Sequence, residues 1–148
     1  MIERIPKELK KINKPSTAAK IGYLLLADAA DGDEHKEHMW VIGMNGSQRV
    51  LYVELCTLGI HDVSIIEPRE AYRMAIIKNA ASIMLMHNHP SGTMRPSDDD
   101  LKITERLRQS GEILGIKLLD HIIVGEKGQD RIETDGPSFY SFSEHNLI

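Results

Sequence analysis

The run Ser82-Ile83-Met84-Leu85-Met86, continued by His87-Asn88-His89-Pro90-Ser91-Gly92-Thr93-Met94-Arg95-Pro96 and then by Ser97-Asp98-Asp99-Asp100, decides how this chain is read. Ser82 to Met86 is a short apolar run, the mark of a buried central strand. That strand delivers His87 and His89 at its C-terminal end. Strand side chains alternate, so the two imidazoles face the same way. A Pro-Ser-Gly loop follows, and Ser97 opens a helix through Leu101, Ile103, Leu107 and Leu114. Two imidazoles and the carboxylate of Asp100 make three N/O ligands, the count of a catalytic zinc site with a fourth position left for water.

Each residue also has a plainer explanation. Two histidines at a strand end can simply bond to backbone. Ser97-x-x-Asp100 has the form of a capping box. Three consecutive aspartates suit a helix N-terminus through the helix dipole alone. What these explanations leave unaccounted for is the convergence of all the groups on one strand-loop-helix unit, which a metal explains more economically.

Working outward, the order of elements is mixed α/β. Residues 1–15 are lysine-rich, carry Pro6 and Pro15, and read as an arm or linker; residues 16–148 read as a single domain. Ser16 is placed to cap a helix through Ala18, Ile21, Leu24, Leu25 and Ala29, with Gly32 near its end. Met39 to Met44 reads as a strand, Asn45-Gly46 as a hairpin turn signal, and Val50 to Cys56 as the returning strand. A third strand fits Val63 to Ile66. Pro68 stands where a first helical residue tolerates proline, and a helix follows through Ala71, Met74, Ala75 and Ile77. Leu118 to Val124 is a further strand, and the tail has room for one or two short ones. The expected architecture is a mixed sheet with helices packed on it.

Composition narrows the function classes. At 148 residues the chain is long enough for a substantial core. Its net charge of −4 argues against a broad basic surface for unspecific DNA binding, although Lys7, Lys10, Lys11 and Lys14 leave a local patch. Cys56 is the only cysteine, so no internal disulfide forms and a reducing compartment suits the chain. No apolar run reaches the ~18 residues of a membrane span, and the N-terminus lacks the apolar core of a signal peptide; the expectation is a cytoplasmic protein.

Glu54 is the other anomaly. In Val50-Leu51-Tyr52-Val53-Glu54-Leu55-Cys56 it shares a face with Val50, Tyr52 and Cys56. A carboxylate on an apolar strand face is costly to bury without a partner. Either the strand is an edge with that face in water, or Glu54 is a general acid/base beside activated water. The second reading expects Glu54 on a strand neighbouring the histidines, with its carboxylate near the same cavity.

Taken together, Glu54, His87-x-His89-Pro90, Ser97 and Asp100 resemble the motif of the JAB/MPN metalloproteases, also called JAMM: an upstream Glu, His-x-His-Pro, six residues, Ser, two residues, Asp. The closer resemblance is to the bacterial RadC-like branch. It is carried by Pro68-Arg69-Glu70, Asn79-Ala80-Ala81, His87-Asn88-His89-Pro90-Ser91-Gly92, Pro96-Ser97, Leu119-Asp120-His121-Ile122-Ile123-Val124-Gly125 and Tyr140-Ser141-Phe142-Ser143-Glu144. It extends from about residue 16 to the end. Gly59-Ile60 stands where the branch usually has Gly-Thr, and residues 126–138 look longer and more polar than usual. RadC-like chains commonly carry an N-terminal helix-hairpin-helix region; this sequence resembles the catalytic domain standing alone.

The resemblance implies a cytidine-deaminase-like α/β fold and zinc-dependent hydrolysis of an amide or isopeptide bond in a protein or peptide substrate. It implies His87, His89 and Asp100 as zinc ligands, Glu54 as the general acid/base and Ser97 as a donor to the oxyanion. Pro90, Ser91 and Gly92 would shape the loop. Asp98 and Asp99 read as solvated acids, His121 as a support behind the ligands or, in preference, as structural, and His35, His38, His61 and His145 as surface residues. Cys56 reads as packing near Glu54. Two other classes stay open: a DNA-repair or mobile-element accessory acting by DNA or protein binding, and a non-catalytic scaffold. The scaffold would normally have lost a ligand, and none is missing. A metallo-β-lactamase-like nuclease is disfavoured, because its pattern would need an acid at Ser91 and a histidine at Gly92.

Overall fold

The computed structural model describes residues 2–29, 32–33, 35–59, 66–125 and 138–148. Its strands are β1 (His38–Met44), β2 (Val50–Leu58), β3 (Ser82–Asn88), β4 (Lys117–Val124) and β5 (Phe139–Ser141). Its α-helices are α1 (Pro15–Ala27), α2 (Pro68–Ala71), α3 (Arg73–Ile77) and α4 (Asp98–Leu114). The strands form one mixed sheet in the order β2-β1-β3-β4-β5. Among the described pairs, only β3 and β4 run parallel. A parallel pair needs a crossover, and α4 supplies it.

Strand alternation sorts the core into two layers. Trp40, Ile42, Met84 and Met86 face α1, where Ala18, Ile21, Leu25 and Leu26 cover them. Met39, Val41, Ile83 and Leu85 face the opposite way and meet Ala71, Ala75, Ile103 and Leu107 of α2, α3 and α4. β3 is buried along its whole length. That is why its sequence reads as an unbroken apolar run rather than an alternating one.

Several local expectations are corrected. The helix expected from a Ser16 cap begins at Pro15, with Lys14 at the N-cap position and no side-chain cap bond. Proline's fixed φ is ready for a first helical position, and its missing N–H costs nothing there. The segment expected as an arm or linker is packed. Ile5 and Ile12 are buried in the layer beneath α1. Backbone bonds from Ile12 N to Gln48 O (3.0 Å) and from Val50 N to Lys10 O (2.8 Å) tie it to the start of β2. The helix after Pro68 is interrupted at Tyr72, a buried ring whose hydroxyl donates to Leu107 O at 2.7 Å.

The turn at Asn45 closes by Gln48 N donating to Asn45 O (2.9 Å), and Gln48 takes the positive φ of 61°. The Asn45 side chain accepts from Ser47 N and Arg49 N, which holds the turn without a left-handed Gly46. The expected strand at Val63 to Ile66 lies outside the described residues except for Ile66, which is buried against α2 and α3. Of residues 126–138 only Ser138 is described; its carbonyl accepts from the Tyr23 hydroxyl at 2.6 Å. Among the described residues no helix is long and apolar enough to cross a membrane.

Candidate metal centre

The site is assembled by two elements. His87 is inside β3, fully buried, and on the face shared by Ile83 and Leu85. His89 lies just beyond the strand and stays in line because its N–H bonds to Val124 O. Gly92, at φ 79°, then turns the chain, its N–H donating to His89 O at 2.9 Å. Asp100 is the third residue of α4. His87 Nε2 and His89 Nε2 are 2.9 Å apart. Asp100 Oδ1 lies 3.3 Å from His87 Nε2, and Oδ2 lies 3.1 Å from His89 Nε2. One ligand atom from each residue falls within a 4.8 Å group.

The capping box and the cluster are one arrangement. Ser97 Oγ accepts from Asp100 N at 3.1 Å, and Asp100 Oδ2 accepts from Ser97 N at 2.9 Å. The cap aims the Asp100 carboxylate at the histidines by fixing the first turn of α4.

The chemistry of the donors fits a cation. His89 Nδ1 is 2.8 Å from Thr93 O. A carbonyl only accepts, so Nδ1 carries the proton, and in the neutral ring Nε2 presents a lone pair to His87 and Asp100. Burial alone would raise the Asp100 pKa, but the adjoining His87 and His89 imidazoles in their protonated forms, with the Ser97 N–H, outweigh it and hold the carboxyl well below the usual range. Burial pulls His89 down, but Asp100 and the Thr93 carbonyl raise it on balance. Burial dominates at His87, which is lowered despite Asp100. A buried carboxylate with two imidazole nitrogens turned toward it is a ready-made site for a divalent metal.

Glu54 shares the sheet face but not the cluster. Val41 is paired with both Glu54 and Leu85, so these three form a row, and Leu85 and His87 lie on one face of β3. The intervening strand is β1, so Glu54 lies two strands from the histidines rather than on a neighbouring one. Arg73 Nη2 donates to Glu54 Oε1 at 2.8 Å. Glu54 Oε2 is buried and accepts no hydrogen bond among the described residues. Glu54, Cys56, Glu70 and Arg73 line a small polar cavity of about 190 Å³.

Sequence reasoning missed Arg73, Thr93 and Thr104, and preferred a structural reading of His121 to a supporting role behind the ligands. His121 is fully buried, with Nε2 2.7 Å from His87 Nδ1 and Nδ1 2.6 Å from Thr104 Oγ1. Burial, with the neighbouring His87, pushes its pKa far down. Thr104 is one turn beyond Asp100 on α4, a spacing that was available as a signal. His38 is not at the surface: it is buried and stacked on Trp40 with ring centroids 5.1 Å apart. His35 and His145 are exposed, as are Asp98 and Asp99, and His61 lies outside the described residues.

A mixed sheet flanked by helices, with a His-x-His strand end facing a helix-borne aspartate, defines a JAB-type domain. A family model described as RadC-like JAB domain matches residues 12–147, and the chain belongs to that family. It is 44% identical over 101 residues to the UPF0758 protein of Desulforudis audaxviator, covering 68% of this chain and 44% of that one. The UPF0758 protein of Chlorobaculum parvum is 42% identical over 116 residues, covering 78% and 48%. That of Pelodictyon phaeoclathratiforme is 37% identical over 139 residues, covering 94% and 58%. The chain spans about half the length of the curated relatives it matches.

Proposed function

We propose that this chain is a zinc-dependent hydrolase that cleaves an amide or isopeptide bond in a protein or peptide substrate. The observation that carries the reading is the convergence of His87 Nε2, His89 Nε2 and the Asp100 carboxylate in a buried group. Zinc held by these three residues would supply Lewis acidity and water activated near neutral pH.

The remaining work falls to side chains of the chain itself. Glu54 takes a proton from the attacking water and returns it to the leaving amine. Arg73 engages one oxygen of that carboxylate, and the other, Oε2, has no hydrogen-bond partner among the described residues and is left for the proton. Ser97 Oγ accepts from Asp100 N, which leaves its own hydroxyl proton to donate to the oxyanion. Capping the helix and stabilising the oxyanion are therefore compatible.

The test compares wild type, Glu54→Gln and His89→Ala for zinc content and for cleavage of a peptide library. Glu54→Gln should retain zinc and lose about 10²–10⁴-fold in rate, the usual contribution of such a group. His89→Ala should lose zinc and cleavage together. Wild-type cleavage that persists in Glu54→Gln would remove Glu54 from the mechanism. A wild-type chain that retains no zinc after refolding with it and gel filtration would overturn the metal reading itself.

A further inference from the structure

Behind the metal-facing side of His87 runs a second line of hydrogen bonds, and its direction can be worked out atom by atom. Thr104 Oγ1 lies 2.6 Å from the Asp100 carbonyl and 2.6 Å from His121 Nδ1. The hydroxyl has one proton, and the carbonyl can only accept. If that proton pointed at His121 instead, two oxygens would meet at 2.6 Å with no hydrogen between them. The hydroxyl therefore donates to Asp100 O and accepts from His121 Nδ1–H. In the neutral ring His121 Nε2 is then a bare acceptor. It lies 2.7 Å from His87 Nδ1, which must be the donor. His87 is thereby left with a lone pair on Nε2, and the 2.9 Å between it and His89 Nε2 is bridged by a cation or, without one, by the second proton of a protonated His89.

We propose that Thr104 and His121 are positioning residues: together they lock the tautomer of His87 so that its Nε2 is free to bind the metal. The inference rests on the metal reading above and deepens it. Packing holds the relay in place. His121 and Thr104 are both buried, and the His121 ring stacks on Phe142 with centroids 4.5 Å apart. Asp120 fixes the strand on either side. Its Oδ1 accepts from His121 N at 2.7 Å and from Ser143 N at 2.9 Å, and its Oδ2 accepts from the Ser141 hydroxyl at 2.6 Å. The Asp100 carbonyl that starts the relay belongs to the residue whose carboxylate ends it. The relay thus registers α4 against β4 and β3 at the donor group.

Two measurements on the full chain test this. The first reads ring tautomers in the metal-free wild type at pH 8 by two-bond proton–nitrogen NMR. Both His87 and His121 should carry their proton on Nδ1; a His87 with its proton on Nε2 overturns the proposal. The second is zinc affinity by competition with a chromophoric chelator. Thr104→Val keeps the side-chain shape and removes the hydroxyl, so His121 is freed to take the other tautomer. Affinity should fall about 10- to 100-fold, the usual consequence of losing an outer partner. Thr104→Ser restores the hydroxyl and should recover wild-type affinity, which a purely steric role for the threonine would not produce. Unchanged affinity in Thr104→Val, beside tight binding by wild type, overturns the relay and leaves the metal site standing. A wild type that takes up no zinc overturns the site, while the NMR result still decides the tautomer.

Discussion

Ser97 is the residue where two roles can be separated by one substitution. Ser97→Ala removes the oxygen that accepts from Asp100 N but keeps the backbone N–H that donates to Asp100 Oδ2. Loss of an N-cap of this kind costs about 1 kcal/mol, which thermal unfolding would read. If the hydroxyl also serves the oxyanion, hydrolysis falls about 10²–10³-fold with zinc retained, and the two readouts dissociate. Cys56 gives a second residue-scale expectation. Burial, reinforced by the charge of Glu54, pushes its thiol up to about 12. A free thiol titrates near 8.5, so at pH 8 the native thiolate fraction is lower by on the order of a thousandfold. Alkylation by iodoacetamide should be very slow in the native state, fast after unfolding, and should quicken as pH rises toward the shifted value. An equal native rate at pH 8 would contradict the burial. The donor group itself was legible in the sequence, because strand alternation and the first turn of a helix are local geometry. Arg73 was not legible, and His121 was left between a supporting and a structural role, because they reach Glu54 and His87 across 19 and 34 residues of chain and only packing brings them there.

At the scale of elements, Gly111 sets two effects against each other. It lies inside α4, where alanine is ordinarily better by about 1 kcal/mol. A Cβ there, however, would stand 2.4 Å from the Ile116 carbonyl oxygen and 2.5 Å from the Tyr72 hydroxyl. Backbone does not yield cheaply, and the Tyr72 hydroxyl is committed to Leu107 O. Overpacking of this kind costs about 1–3 kcal/mol, so Gly111→Ala should lower the unfolding midpoint; a rise would mean that the loop after α4 gives way. Outside residues 60–65, and apart from the split of the helix after Pro68, the element order from α1 to β4 was readable because long periodic segments and a buried apolar strand leave strong patterns. The elements read less well are those set by tertiary contact. The N-terminal segment docks on β2 through Ile5, Ile12 and backbone bonds, which lysine-rich composition hides. The break falls at Tyr72, whose hydroxyl reaches Leu107 O of α4, and nothing in the local sequence announces that contact.

For the molecule as a whole, the donor group joins β3 to α4, and so ties the central strand to the layer packed on its face. A cation held there binds the folded chain and has no preformed site in the unfolded one. The coupling is therefore thermodynamic: at a thousandfold excess of free metal over Kd the folded state gains ~4 kcal/mol. For a domain of this size each kcal/mol moves the unfolding midpoint by roughly 2–4 °C, so saturating zinc should raise it by roughly 8–16 °C over chelator-treated protein. The same titration on His87→Ala separates this linkage from unspecific effects of zinc. Removing one of three donors should abolish the shift, while the unfolding midpoint in chelator reports only the cost of the missing imidazole. If wild type and His87→Ala gained equally from zinc, the stabilisation would come from elsewhere on the surface. The group at His87, His89 and Asp100 would then be a hydrogen-bonded core cluster and not a metal centre.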